Sequence, residues 1–127
     1  MAVVKDIGHV VIPVDDMEKA IAFYRDVLGF RVVGKVNPVW TVVEVSGGQL
    51  TLYRNSKLPK VAGGPGGEGT PFEFHVDDFE KAASFLQSRG IRVKKEGANA
   101  GTVWDPFGNA LRLHDHRADE VGSAAKP

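Results

Sequence analysis

The sequence has no cysteine, which excludes disulfides, thiolate metal sites and a cysteine nucleophile. It has no excess of either charge: Lys and Arg together number 16, and so do Asp and Glu. A basic footprint for nucleic acid or a polybasic patch for a membrane surface is therefore not expected. No apolar run approaches the ~20 residues that a membrane-spanning helix requires. The opening residues lack a charged segment followed by an apolar one, so no secretory signal is read. The expectation is a cytoplasmic protein whose partner is a small molecule. Its 127 residues suffice to bury one core without staples.

What is present is an internal repeat. Val14-Asp15-Asp16-Met17-Glu18-Lys19-Ala20 returns 62 residues later as Val76-Asp77-Asp78-Phe79-Glu80-Lys81-Ala82, and Phe23 returns as Phe85. After one deleted residue the offset becomes 61. Gly29, Arg31 and Val32 then match Gly90, Arg92 and Val93, and Gly47, Leu50 and Leu52 match Gly108, Leu111 and Leu113. Similar helix caps explain a shared Asp and Glu. They do not explain Lys, Ala, Phe and the later Gly-x-Arg-Val together, so the chain reads as a duplication.

Each copy predicts a strand, a helix and then further strands. The first strands are expected over Gly8 to Val14 and Pro71 to Val76, which are rich in β-branched and aromatic residues. Asp15 with Glu18, and Asp77 with Glu80, have the spacing of a capping box. Met17, Ala20, Ile21, Tyr24, Val27 and Leu28 fall on one helical face; Phe79, Ala82, Ala83 and Leu86 do the same in the second copy. Gly29 and Gly90 stand where a left-handed helix end requires glycine. Later strands are expected over Phe30 to Val33, Val39 to Val45 and Gln49 to Tyr53. Their counterparts are Ile91 to Lys94, Thr102 to Trp104 and Ala110 to His114. Asp105-Pro106-Phe107-Gly108-Asn109 is a turn by composition. The organisation is module one over 1–54, a Gly-rich linker over 55–70, module two over 71–115 and a polar tail over 116–127, with 1–115 as a single domain.

The segments Ile7-Gly8-His9-Val10, Val14-Asp15-Asp16 into Ala22-Phe23-Tyr24, Val27-Leu28-Gly29-Phe30 and Asp105-Pro106-Phe107-Gly108-Asn109 carry a family likeness. Together they resemble the vicinal oxygen chelate superfamily, which includes glyoxalases, bleomycin-resistance proteins and dioxygenases. The resemblance implies an α+β fold. Two tandem β-α-β-β-β modules would form a curved mixed sheet around a central cavity, with the helices outside. It also implies a homodimer, with the modules paired within one chain or exchanged between two. It does not imply one activity, because a fold shared by lyases, dioxygenases and drug binders does not specify chemistry.

Catalytic members of that superfamily hold a divalent ion with four side chains. The likeness places those positions at His9, Thr51, Pro71 and Arg112. Proline has no donor atom, and a permanently charged guanidinium repels a cation. No metal is therefore expected at the family positions. A relocated site of His9, Glu73 and His114 is the alternative. His75 is disfavoured, since it lies roughly 13 Å along its strand from position 71.

The expected function is binding of a small organic ligand in the manner of bleomycin-resistance proteins, by sequestration and without a cofactor. The contacting residues would be His9, Trp40, Thr51, Tyr53, Glu73 and Arg112. The alternative is a glyoxalase-type lyase or a dioxygenase, with Zn, Ni, Mn or Fe at the relocated site. In a third reading, an enzyme without metal, Arg112 holds a substrate carboxylate or phosphate and His9 or Glu73 is the base. Each residue also has a plain reading. His9 is then a hydrogen-bonded strand histidine and Glu73–Arg112 an ion pair across the trough. His114 and His116 are structural or exposed, and Glu44 is a strand-surface charge. Trp40, Tyr53, Phe72, Phe74 and Trp104 read first as core.

Overall fold

The computed structural model describes residues 2–62 and 72–115. The linker segment 63–70, Pro71 and the tail with His116 lie outside the described residues. The chain divides into two compact units, Met1–Pro59 and Lys60–Pro127. The first contains β1 (Val11–Val14), α1 (Met17–Ile21, continued by a π-helical turn over Ala22–Val27), β2 (Arg31–Val33), β3 (Trp40–Val45) and β4 (Gly48–Arg54). The second contains β5 (Glu73–Val76), α2 (Phe79–Ser88), β6 (Val93–Lys95), β7 (Ala100–Trp104) and β8 (Ala110–Asp115).

Each unit has one four-stranded mixed sheet, in the order β1-β4-β3-β2 and β5-β8-β7-β6. The first strand pairs in parallel with the last, and the other pairs are antiparallel. The registers reproduce the repeat. Val11 pairs with Thr51, and Glu73 pairs with Arg112. The fold class is thus the expected α+β arrangement of two like modules. Among the described residues no helix is long and apolar enough to cross a membrane.

Alternation in the strands sorts the side chains onto two faces. Ile12, Val14, Val43 and Leu52 are fully buried on the face that α1 covers in unit one. Phe79, Ala83, Val103, Leu111 and Leu113 form the core of unit two. Gly101 fits there because a Cβ would stand 2.6 Å from the Lys94 carbonyl oxygen and 2.7 Å from Cζ of Phe79. The β3–β4 hairpin turns through Ser46 (φ 48°) and Gly47 (φ 83°), the two positive φ values of a type I′ turn.

The change of repeat offset has a structural cause. Leu28 N–H donates to the Phe23 carbonyl at 2.9 Å, five residues back. A π turn is one residue inserted into an α-helix. It absorbs the extra residue between Asp16 and Gly29, while α2 runs as plain α-helix between Asp78 and Gly90. Both glycines have positive φ, 91° and 76°, as expected. The helix face departs from the α period: Phe23 is buried beside Tyr24, although the period leaves it off the face. Its counterpart Phe85 is 46% exposed, beneath the Arg89 guanidinium.

Several boundaries differ from expectation. The helix caps are Asp16 and Asp78, one residue later than read, and they accept from the N–H of Lys19 and Lys81. Of two adjacent Asp residues, the one holding extended backbone next to the first helical residue makes the cap. β1 starts at Val11, and residues 2–10 before it are exposed. β5 starts at Glu73, β6 ends at Lys95 and β7 starts at Ala100. β8 runs to Asp115, whose carboxylate accepts from Phe79 N–H and adds a buried cap to α2. Trp40, Tyr53, Phe72, Phe74 and Trp104 are half-buried rather than core. Trp40, Tyr53 and Trp104 lie on the sheet face away from the helix, whereas Phe74 pairs with Leu113 on the helix side of the edge strand β5. The described end of the linker is also tied down. Val61 N–H donates to Asn109 Oδ1 at 2.7 Å, and Ala110 N–H donates to the Val61 carbonyl at 2.7 Å.

Candidate functional site

In unit one, Trp40, Thr51 and Tyr53 share the sheet face opposite α1. Trp40 and Tyr53 are directly paired between β3 and β4, and Thr51 lies two residues from Tyr53. His9 comes over this face from just ahead of β1. Its Nδ1 hydrogen-bonds with the buried hydroxyl of Thr51 at 2.9 Å. Its ring stands edge-on to Trp40 at 4.8 Å, and Trp40 stands 5.4 Å from Tyr53 at 67°. Four of the six residues expected to contact ligand thus form one patch: an imidazole, a hydroxyl, an indole and a phenol. Such a surface offers ring faces for stacking and a few polar atoms for orientation. At the far end of the sheet, hydrogen bonds from Gln49 (3.1 Å) and then Arg31 hold the Glu44 carboxyl below the usual carboxylate range. Glu44 is therefore a paired strand-surface charge.

In unit two, the face away from α2 is ionic. Glu73 and Arg112 are the other two expected ligand contacts. They are partners on adjacent parallel strands, with Arg112 Nε 3.2 Å from Glu73 Oε1. The pair is thus lateral, within one sheet, rather than spanning a trough. Arg112 Nη1 also donates to Glu96 at 2.5 Å. The Glu96 side chain is only 10% exposed, and it accepts from the Thr102 hydroxyl at 2.5 Å. Arg112 therefore stands between two carboxylates. His75 lies beside His114 in the register, with ring centroids 5.9 Å apart. Arg92 covers the ring of Trp104 at 3.9 Å, a cation–π contact.

The family metal set does not fit these residues. The Thr51 hydroxyl is engaged by His9, and Arg112 brings a positive charge held by two carboxylates. Pro71 lies outside the described residues. Of the alternative set, His9 belongs to the unit-one patch, and Glu73 and His114 belong to unit two.

Sequence reasoning passed over two residues. Glu96 lies in the connection after β6 and carries no motif. Its only sequence cue is the alternation that turns Thr102 and Arg112 to one face. Distance from position 71 disfavours His75 in sequence, yet it stands next to both Glu73 and His114. Among the described residues, Glu73, His75 and His114 can each offer one donor atom within 4.8 Å of the others.

A family model described as the Glyoxalase/Bleomycin resistance protein/Dioxygenase superfamily matches residues 6–113. No curated protein matches the chain in sequence. Among solved structures, TnmS3, an antibiotic binding protein from Streptomyces sp. CB03234, is 24% identical with a TM-score of 0.68, covering 90% of this chain and 98% of that one. Lactoylglutathione lyase from Agrobacterium tumefaciens is 21% identical with a TM-score of 0.63, covering 89% and 95%. The trypanothione-dependent glyoxalase I of Leishmania major is 20% identical with a TM-score of 0.71, covering 96% and 94%. At these identities the likeness establishes the fold and leaves the activity open.

Proposed function

We propose that this chain, which belongs to the Glyoxalase/Bleomycin resistance protein/Dioxygenase superfamily, is a small-molecule binding protein that works without the superfamily's usual metal centre. The observation that supports this most is the unit-one patch, where His9, Thr51, Trp40 and Tyr53 present aromatic rings around one hydroxyl–imidazole hydrogen bond. Its chemistry suits a planar organic ligand carrying a polar group, stacked on Trp40 and Tyr53 and oriented by His9 and Thr51. The antibiotic-binding neighbour shares the fold and makes antibiotics a sensible first ligand class, and the rings of Trp40 and Tyr53 favour planar ones. Holding such a molecule needs neither a nucleophile nor a bound cation.

The test is fluorescence titration with a panel of planar antibiotics and aromatic metabolites, using Trp104→Phe so that Trp40 is the one indole. At least one compound should quench Trp40 and bind in the micromolar range. Trp40→Ala in the native background, followed by calorimetry, should weaken binding by about tenfold or more, the loss of one ring contact plus its buried area. Absence of binding across the panel, or affinity unchanged by both Trp40→Ala and Tyr53→Ala, would overturn the reading.

The same reading carries a homodimer. Val3, Val4 and Ile7 are 95%, 73% and 86% exposed ahead of β1, apolar surface that a second copy would cover. Sedimentation equilibrium should give twice 13.7 kDa, and Ile7→Asp should shift the mass toward the monomer. A wild-type chain that sediments as a monomer at about 100 μM, a concentration well above the Kd of a stable dimer, contradicts it.

A further inference from the structure

We infer that Glu73, His75 and His114 form a binding site for a divalent transition cation of the zinc type, separate from the superfamily's ligand positions and independent of the organic-ligand reading above.

The site follows from strand geometry. Glu73 and His75 are two residues apart on β5, so their side chains leave the sheet on one face. The parallel register puts His114 of β8 directly beside His75. Glu73 reaches both histidines. One carboxylate oxygen lies 3.8 Å from His75 Nε2 and the other lies 3.8 Å from His114 Nδ1. One donor atom from each of the three residues falls within 4.8 Å of the others. Two donors on one tetrahedral zinc are about 3.4 Å apart, given bonds of about 2.0–2.2 Å. The remaining difference is within reach of rotamer adjustment, since the Glu73 and His75 side chains are 45% and 59% exposed. His114, 17% exposed, is the better-fixed ligand.

The donor set selects the class of ion. Two imidazoles and one carboxylate suit Zn2+, Co2+, Ni2+ or Cu2+, whereas Mg2+ and Ca2+ want oxygen shells. Three protein ligands leave a coordination position open to water or to a chelating small molecule. The nearby cation does not forbid the site. Arg112 touches Glu73 through Oε1, but its Nη1 is matched by Glu96 at 2.5 Å, so its charge is already balanced on the far side. Arg112 also orients the Glu73 carboxylate, as outer partners of metal ligands do.

The experiment is calorimetric titration of the full, tag-free chain with ZnCl2, together with Co2+ titration followed by visible absorption. The wild type should take up one equivalent of zinc, and cobalt should give the intense d–d bands of a low-coordinate His/carboxylate site. His75→Ala, His114→Ala and Glu73→Gln should each weaken zinc binding by about tenfold or more. His9→Ala and His116→Ala, which alter the other two histidines of the chain, should leave it within about twofold. Circular dichroism of each variant separates lost ligation from lost fold. No zinc uptake below about 1 mM, unchanged affinity in the His75→Ala/His114→Ala double variant, or a loss confined to His9→Ala or His116→Ala each overturns the inference.

Discussion

Replacement of Asp105 by Ala lowers stability by about 3–5 kcal/mol, which thermal melting reads as a fall in Tm of about 10 °C or more. Asp105 is 4% exposed, and among the described residues its two carboxylate oxygens accept from Phe107 and Asn109. Oδ1 accepts from the backbone N–H of Phe107 at 2.9 Å and of Asn109 at 2.8 Å. Oδ2 accepts from Asn109 Nδ2 at 2.7 Å. That last bond turns Asn109, itself fully buried, so that its Oδ1 receives Val61 N–H. Hydrogen bonds to a charged acceptor are each worth about 1.5–3 kcal/mol, and donors left buried without acceptors add to the loss. The bonds act as a unit, so the total is smaller than their sum. Asp105→Asn retains an oxygen acceptor for the turn and should lose distinctly less. An Asp105→Ala variant within about 1 kcal/mol of wild type in urea titration would contradict this account. The Asp-Pro-Phe-Gly-Asn turn that carries the family likeness is therefore a structural clamp. It joins the start of β8 to the chain at Val61.

The parts of the fold that could be read from the chain are those coded locally. Asp before a helical face, glycine after it and apolar alternation in the strands each act within a few residues. The repeat made them readable twice. The same repeat placed Thr51 and Arg112 at equivalent positions, and the observed registers with Val11 and Glu73 agree. What escaped has a different physics. The π turn is visible in sequence only as an offset of one, because an inserted helical residue costs one hydrogen-bond shift and needs no special residue type. Asp16, not Asp15, is the cap because backbone conformation decides between two neighbouring residues of one type. Glu96 and Val61 take their roles from partners 16 and 48 residues away, which no local pattern encodes. Distance from a family ligand position is a poor guide to His75. Ligands need only lie near one another, and the β5–β8 register supplies that.

Arg112→Met is expected to cost about 2–4 kcal/mol in urea titration, because it breaks a largely buried ion pair and leaves a carboxylate behind. Glu96 would keep only the Thr102 hydroxyl as partner among its described contacts. With its side chain 10% exposed, water replaces the guanidinium poorly. The Glu73 contact contributes less, since Glu73 is 45% exposed and the pair is screened. Glu96→Gln combined with Arg112→Met removes both charges together, and its stability should return to within about 1–2 kcal/mol of wild type. The double-mutant cycle should therefore give a coupling of about 1–3 kcal/mol. This separates two roles that the sequence alone left open for Arg112. An arginine poised to hold a substrate carboxylate would be lost at little cost to folding, whereas one that neutralises a buried Glu96 cannot be. If Arg112→Met is isostable with wild type, Arg112 does not neutralise a buried Glu96, and this account of the unit-two ionic face fails. If stability falls and the double variant recovers it, Arg112 belongs to the folded ionic face of unit two.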